Sequence, residues 1–156
     1  MIWKERVYIE TPYFIPDEGL LRALKSAALS GVDVRIIFPS IADHKIVHQA
    51  SYSYFDDILK SGGKVYLYNK GFIHSKLIII DDKIASTGSA NMDLRSFMLN
   101  FEINAFIYDK DIINKISDDF FEDLKNSKEV DLEVFQNRPF IKKWAESVAR
   151  LFSPIL

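Results

Sequence analysis

The chain has 156 residues, of which 48% are hydrophobic and 27% charged, and its formal net charge is −2. This composition is typical of a folded domain with a sizeable core and excludes a disordered chain. The absence of cysteine excludes disulfides and thiolate metal sites, and there is no overall basic charge of the kind that binds nucleic acid. No apolar run approaches the roughly 18 residues of a membrane span, and the charged opening MIWKERVYIE is unlike a signal peptide.

The first seventy residues alternate between predicted strands and predicted helices. Apolar and polar residues alternate, or β-branched residues dominate, in strands over 6–14, 32–38 and 64–68. Between them we predict a helix that begins at Pro16 and Asp17 and ends at Gly31, and a second helix over 44–59. This order is typical of parallel strands in an α/β layer.

The pattern changes after residue 70. Strands over 72–80 and 83–87 meet at Asp81-Asp82, which predicts a hairpin, and another strand is predicted over 100–108. Asp109 is the expected cap of a helix over 109–125, and a last helix is predicted over 139–152. The inward residues of the first of these helices are expected to be Ile112, Ile113, Ile116 and Phe120. We therefore expect a mixed α/β fold, in which helices flank a central mixed β-sheet, as one domain over residues 1–156.

The segment HSKLIIIDDKIASTGSAN, residues 74–91, carries the chemistry. On a strand, His74 and Lys76 would point to the same face, and the apolar run behind them is typical of a central, buried strand. Gly88 allows two backbones to approach closely, and the hairpin should bring Ser89 and Asn91 beside His74 and Lys76.

These four side chains suit phosphodiester chemistry. An imidazole can attack phosphorus and form a phosphohistidine. The ammonium of Lys76 and the hydrogen bonds of Ser89 and Asn91 can hold the non-bridging oxygens. Because this set performs the work that a metal would otherwise do, we expect neither a metal nor another cofactor.

The spacing of these residues resembles the signature of the phospholipase D superfamily. It comprises His74-x-Lys76, four residues, Asp81, six residues, and Gly88-Ser89-x-Asn91. The continuation NMDLRSFMLNFE, the segment TPYFIPDEGLLRALKSAALSGVDVRIIFP and the ending ARLFSPIL are similar to the C-terminal half of bacterial cardiolipin synthases. The resemblance covers essentially the whole chain and implies a phospholipase D-like sandwich.

The resemblance also implies residue roles. His74 would be the nucleophile or its acid–base partner, and Lys76, Ser89 and Asn91 would bind phosphate. Glu102 falls where the family has a carboxylate that accepts a hydrogen bond from the histidine. Asp81 belongs to the catalytic signature, but five extended residues place it about 17 Å from Lys76, so we interpret it as shaping the turn.

Family members that work as single chains carry this signature twice, whereas this chain carries it once. The implied partner is therefore a missing N-terminal half or, in a homodimer, a second copy. The implied reaction joins two phosphatidylglycerol molecules into cardiolipin and glycerol. It would occur at the bacterial cell membrane, with the domain at the cytoplasmic face and no nucleic acid as partner. Two alternatives remain, a homodimeric single-motif phosphodiesterase or nuclease, and a catalytically silent lipid-binding fragment.

Two further patterns have competing interpretations. His44 and His48 are four apart on a predicted helix, and we favour a solvated or packing pair over two metal ligands. The last helix carries an apolar stripe that we expect to pack on the sheet, the alternative being a bilayer surface. Pro154-Ile155-Leu156 would then form a loose apolar tail. The stripe comprises Phe140, Ile141, Trp144, Val148, Leu151 and Phe152.

Overall fold

The computed structural model describes residues 5–153, which form nine strands and six helices. The strands are β1 Arg6–Glu10, β2 Phe14–Ile15, β3 Asp33–Pro39, β4 Lys64–Tyr68, β5 Leu77–Ile80, β6 Ile84–Gly88, β7 Met92–Asp93, β8 Asn104–Ile107 and β9 Ser127–Glu129. The helices are α1 Glu18–Leu29, α2 Lys45–Lys60, α3 Leu94–Met98, α4 Lys110–Lys125, α5 Leu132–Gln136 and α6 Phe140–Leu151.

Seven of the strands form one mixed sheet in the order β8-β6-β5-β1-β3-β4-β9. Strands β1, β3 and β4 are parallel, and their carboxyl ends meet at one edge of the sheet. Strands β5, β6 and β8 extend the sheet as antiparallel neighbours beyond β1. The predicted mixed sheet with flanking helices is therefore confirmed.

The period-two alternation of the strands divides the core between the two faces of the sheet. Val7 and Ile9 of β1 belong to one buried cluster, which α1 and α2 cover. Tyr8, between them, belongs to a second cluster on the opposite face, which α4 covers with Ile113 and Phe120. Each fully buried valine, isoleucine or phenylalanine side chain contributes about 1.5–3 kcal/mol to the stability of the fold.

The structure confirms most of the residues that were predicted to begin and end the helices. The side chain of Asp17 accepts a hydrogen bond from the backbone N–H of Leu20 at 2.6 Å, which caps the start of α1. Gly31, with φ of 86°, follows the end of α1 in the left-handed region. In α4, Asp109 is the cap as expected, but Ile112 is exposed, so its predicted inward position was wrong.

The strand predicted over 72–80 was wrong in its first half, because β5 begins only at Leu77. Leu77 pairs with Glu10, the last residue of β1, and Pro12 has no N–H with which to extend that ladder. His74 and Lys76 therefore lie in the loop before the strand. The strand predicted over 100–108 is likewise reduced to Asn104–Ile107.

The prediction that the apolar stripe of the last helix packs on the sheet was wrong. Helix α6 packs on α2 through its other side, where Glu146 and Ala149 are buried. Phe140, Ile141 and Leu151 are each 78% exposed, and Trp144 is 61% exposed. The predicted tail Pro154-Ile155-Leu156 lies outside the described residues. Strand β9 and helix α5, which the sequence patterns did not predict, connect α4 to α6.

Candidate active site

The predicted hairpin is formed by β5 and β6, and it pairs the residues that follow Lys76 with those that precede Ser89. Leu77 at the start of β5 pairs with Thr87 near the end of β6, and Gly88 pairs with Asn104 of β8. A Cβ atom at Gly88 would lie 2.1 Å from the carbonyl oxygen of Ile103 and 2.5 Å from Oδ1 of Asn104. Only glycine allows this approach, and the approach places Ser89 against the segment that carries Glu102.

Ser89 and Glu102 are joined directly. The hydroxyl of Ser89 donates to Oε2 of Glu102, and Asn100 Nδ2 donates to Oε1 at 3.1 Å. Backbone bonds fix the pair in place, because Ser89 N–H donates to the carbonyl of Ile103 at 2.9 Å. The hydrogen bond from Ser89 and then that from Asn100 hold the pKa of Glu102 below its usual value.

Lys76 is half-buried beside this carboxylate. Burial lowers the pKa of its ammonium, and the negative charges of Glu102 and Asp93 partly offset that effect. Its Nζ donates to the backbone carbonyl of His74 at 2.9 Å. This bond places the ammonium of Lys76 next to the backbone of His74.

The imidazole of His74 is exposed, and its ring centroid lies 5.7 Å from that of Phe72. It makes no hydrogen bond with any part of the chain between residues 5 and 153. The bond from His74 to Glu102 that the resemblance implies is not formed here, since the carboxylate accepts from Ser89 and Asn100 instead. The catalytic role of His74 and the orienting role of Glu102 remain predictions.

Asn91 carries the single buried side-chain polar atom without a partner among the described residues, its Oδ1. Its backbone N–H donates to Ser96 Oγ at 3.1 Å, and Asp93 caps α3 through the N–H of Ser96 at 2.6 Å. A buried acceptor without a donor costs about 1–3 kcal/mol, so a ligand that offers a donor would recover that energy.

Asp81 lies at the opposite end of β5 from Lys76, in the hairpin turn, with φ of 54°. Its Oδ1 accepts from the backbone N–H groups of Glu5 and Arg6, both at 3.0 Å, and Arg6 Nε donates to its carbonyl at 3.0 Å. This buried carboxylate therefore ties the turn to β1.

Sequence reasoning missed Glu10, a buried carboxyl at the carboxyl end of β1. Burial, and then the charge of Asp123, raise its pKa to about 7, while a hydrogen bond with Ser75 acts in the other direction. Ser75 lies between His74 and Lys76, so the hydrogen bond between Glu10 and Ser75 links β1 to the loop that carries the motif. The available signal was a glutamate at an inward position of a central strand, in phase with the buried Tyr8.

The other two histidines have different surroundings. His48 Nε2 lies 3.3 Å from the carbonyl oxygen of Pro39, and its ring packs on Phe38 and Tyr52 with centroid distances of 5.1 and 4.7 Å. His44 is exposed at the start of α2. No group of three or more metal-ligating side chains occurs in residues 5–153. Within the same range, no helix has the length and apolar character to cross a bilayer.

The fold and the hairpin motif define a phospholipase D-like domain. The phosphatidylserine synthase of Haemophilus influenzae has the same fold over 99% of this chain and 42% of its own, with a TM-score of 0.75 and 18% identity. Nuc of Salmonella typhimurium, a phospholipase D family member, matches 82% of this chain and 83% of its own, with a TM-score of 0.70 and 22% identity.

The family is more specific than the fold. A family model described as cardiolipin synthase, PLD-like domain matches residues 3–124, and the chain belongs to that family. A cardiolipin synthase of Geobacillus kaustophilus is 54% identical over 98% of this chain. The chain spans about 30% of the length of that relative.

Proposed function

We propose that the chain is the C-terminal catalytic half of a cardiolipin synthase, which converts two phosphatidylglycerol molecules to cardiolipin and glycerol. The supporting observation is the cluster at the open end of the hairpin, in a chain 54% identical to a cardiolipin synthase. In that cluster Lys76 and Ser89 both act on Glu102, next to the exposed His74. Residues 1–156 form one catalytic domain in this proposal.

The reaction has two displacements at one phosphorus atom. One histidine attacks the phosphorus of the donor lipid, the P–O bond to glycerol breaks, and a second histidine gives its proton to the departing glycerol. The second histidine then takes the proton of the acceptor's hydroxyl. That oxygen attacks phosphorus and breaks the P–N bond, which yields cardiolipin. His74 serves as either the nucleophile or the acid–base group.

Lys76, Ser89 and Asn91 hold the phosphate oxygens. Ser89 has one O–H donor, which Glu102 accepts in the free chain. When the hydroxyl turns to the phosphate, Oε2 of Glu102 becomes available to accept an imidazole N–H. Substrate binding would thus create the histidine–carboxylate contact that the free chain lacks, with no metal or cofactor required. Asp81 serves by shaping the turn.

The second histidine comes from another phospholipase D-like half, either the N-terminal half or a second copy. His48 is packed among aromatic rings and is not free to serve. A row of exposed apolar residues runs from α3 to the edge strand β8, next to Glu102, and offers a docking surface for that half. It comprises Phe97, Met98, Leu99, Phe101, Ile103 and Phe106. The assembled enzyme acts at the bacterial cell membrane, with this domain on the cytoplasmic face.

The test is turnover of phosphatidylglycerol vesicles by the chain mixed with a separately produced half that carries its own His-x-Lys motif. We expect cardiolipin and glycerol in equal amounts, together with an acid-labile label on one of the two motif histidines. His74→Ala should abolish transfer, whereas Lys115→Ala, a change at an exposed site on α4, should not.

Three outcomes would overturn the proposal. Cleavage of DNA without lipid turnover would favour the nuclease alternative. Lipid binding without turnover in the mixture would favour the silent fragment. Transfer that persists in His74→Ala, with label on a residue outside both motifs, would remove the histidine mechanism.

A further inference from the structure

We propose that the exposed side of α6 lies in the surface of an anionic lipid bilayer. This side, the α6 apolar face, comprises Phe140, Ile141, Trp144, Leu151 and Phe152. The choice of an anionic lipid rests on the proposed function, since phosphatidylglycerol and cardiolipin both carry negative charge.

Helix α6 is held to the protein by polar anchors on its opposite side. Arg138, just before the helix, donates to both carboxylate oxygens of Glu146 at 2.7 and 2.9 Å. Arg150 near the helix end donates to Asp57 of α2 at 3.0 Å. The rotation of the helix is therefore fixed, and its apolar side faces outward.

The α6 apolar face has the chemistry of an interfacial helix. All five residues are at least half exposed, and residues 140, 141, 144, 151 and 152 fall within one third of the helix circumference at 100° per residue. An exposed tryptophan among large aliphatic and aromatic residues is typical of a helix that lies at the headgroup level of a bilayer.

The unpaired charges of α6 are positive, and at 100° per residue they lie to either side of the α6 apolar face rather than on it. The one acidic residue of the helix, Glu146, is paired with Arg138, and Arg150 is paired with Asp57. Lys142 and Lys143 in the first turn are exposed and form no ion pair with the described residues. Lysine side chains long enough to reach lipid phosphates would add about 1 kcal/mol each at an anionic surface.

The other half of the enzyme is a less suitable occupant, because the docking surface that we propose for it lies elsewhere. The exposed row from Phe97 to Phe106 ends on β8, at one edge of the sheet. Helix α6 packs on α2, which covers the β3 and β4 side. Strands β8 and β3 are four positions apart in the sheet, or about 19 Å. The two apolar surfaces are therefore separate.

The experiment measures fluorescence of Trp144 in the full chain with Trp3→Phe, which leaves a single tryptophan. We expect a blue shift and quenching by lipids brominated on their acyl chains when vesicles contain phosphatidylglycerol. Vesicles of phosphatidylcholine alone should bind at least tenfold more weakly. Ile141→Ser/Leu151→Ser should weaken binding to phosphatidylglycerol vesicles at least tenfold, because two large side chains lose their burial.

Two matched variants control for composition. Leu29→Ser/Ile41→Ser removes two exposed apolar side chains outside α6 and should leave vesicle binding unchanged. Lys142→Glu/Lys143→Glu should abolish the preference for phosphatidylglycerol, whereas Lys115→Glu/Lys128→Glu makes the same charge change elsewhere and should retain it. An absent blue shift, or equal binding by the two serine variants, would overturn the proposal. A second copy would be the occupant if sedimentation showed a dimer that Ile141→Ser/Leu151→Ser abolishes while the vesicle binding of that variant equals that of the unmodified chain. That result would also overturn the proposal.

Vesicle binding needs no turnover, so the two proposals can fail separately. His74→Ala should bind vesicles like the unmodified chain. Insertion of Trp144 without cardiolipin formation would support the bilayer contact and count against the proposed reaction. Cardiolipin formation without insertion would do the opposite.

Discussion

The hydroxyl of Ser89 donates a hydrogen bond to the carboxylate of Glu102, across the gap between the end of β6 and the approach to β8. The positive charge of Lys76 also lowers the pKa of this carboxylate. Two residues that the sequence assigns to phosphate binding thus both act on the residue assigned to orienting the histidine. The hydrogen bond from Ser89 thus holds the Glu102 carboxylate in place before any substrate arrives.

If the proposed function holds, Glu102→Gln should retain the fold and lower phosphatidyl transfer by tens- to hundreds-fold, because an amide cannot stabilise an imidazolium as a carboxylate does. Steady-state transfer in the assembled enzyme is the measurement. Glu129→Gln, at an exposed site on β9, is the matched control and should have no effect. Unchanged transfer in Glu102→Gln would show that the carboxylate does not act on the histidine.

Gly88→Ala and Gly19→Ala should have opposite effects on stability. A Cβ at Gly88 would collide with backbone atoms at 2.1 and 2.7 Å, which cannot move independently of the sheet. A Cβ at Gly19 would meet Asp17 Oδ1 at 3.5 Å, an ordinary contact, within helix α1. We expect Gly88→Ala to cost at least about 2 kcal/mol and Gly19→Ala to add about 0.5–1 kcal/mol. Urea unfolding measures both, and a neutral Gly88→Ala would show that the close approach of β6 and β8 is not required.

The sequence predicted those parts of the fold that depend on local patterns. The cap Asp17, the stop Gly31 and the strand Lys64–Tyr68 follow from propensity and turn chemistry within a few residues. The hairpin that joins Lys76 to Ser89 follows from the register of two short strands. The spacing of the motif identified the candidate site residues, and the hairpin pairs Leu77, next to Lys76, with Thr87.

The remaining features depend on tertiary contacts that no local pattern contains. Strand β5 starts late because its partner β1 ends at Glu10, which the run from Phe72 to Ile80 does not reveal. The apolar stripe of α6 is typical of a buried helix face. The ion pairs of Arg138 with Glu146 and of Arg150 with Asp57 instead turn the opposite side of the helix toward α2. The raised pKa of Glu10 depends on its burial and on the charges of Asp123 and Asp119, which lie on α4, far away in the sequence.

Glu10 should make the protein less stable as pH rises through the range in which its proton is lost. Its pKa is about 7 in the fold against its usual 4.5, so the folded state holds the proton more tightly. Asp119 and Asp123 of α4 and Tyr68 of β4 surround the same region, and none of them brings a positive charge. Between pH 4.5 and 7 Glu10 holds its proton to a greater extent in the folded chain than in the unfolded chain, so its contribution to the free energy of unfolding falls as pH rises.

Glu10→Gln removes that ionisation. The loss of stability from Glu10 over this range is at most about 3 kcal/mol, so the variant should gain on the unmodified chain between pH 4.5 and 8 by an amount up to that limit. Urea unfolding at several pH values is the measurement, and Glu133→Gln on the exposed side of α5 is the control. Parallel pH profiles for the unmodified chain and Glu10→Gln would contradict the prediction.

The pairing of Arg138 with Glu146 holds α6 to the protein. Arg138 also donates from Nε to the carbonyl of Phe135 at 2.8 Å, and its guanidinium carbon lies 3.3 Å from the centre of the Phe135 ring. Burial raises the pKa of Glu146, and the charge of Arg138 acts against that rise. The carboxylate is therefore costly to bury without its partner.

Arg138→Met should cost about 3–5 kcal/mol, because it leaves Glu146 buried and unpaired. Adding Glu146→Leu should restore most of that loss, since a buried ion pair and an apolar pair of similar size are close in energy. The exposed pair Arg22–Glu18 provides the comparison, and Arg22→Met should cost less than about 1 kcal/mol. Urea unfolding measures all three variants, and trypsin cleavage after Lys142 or Lys143 reports whether α6 has detached. Two outcomes would contradict the prediction: a cost of Arg22→Met equal to that of Arg138→Met, or no recovery on adding Glu146→Leu. Either would show that the contact of Ala149 with α2, and not this ion pair, holds α6 to the protein.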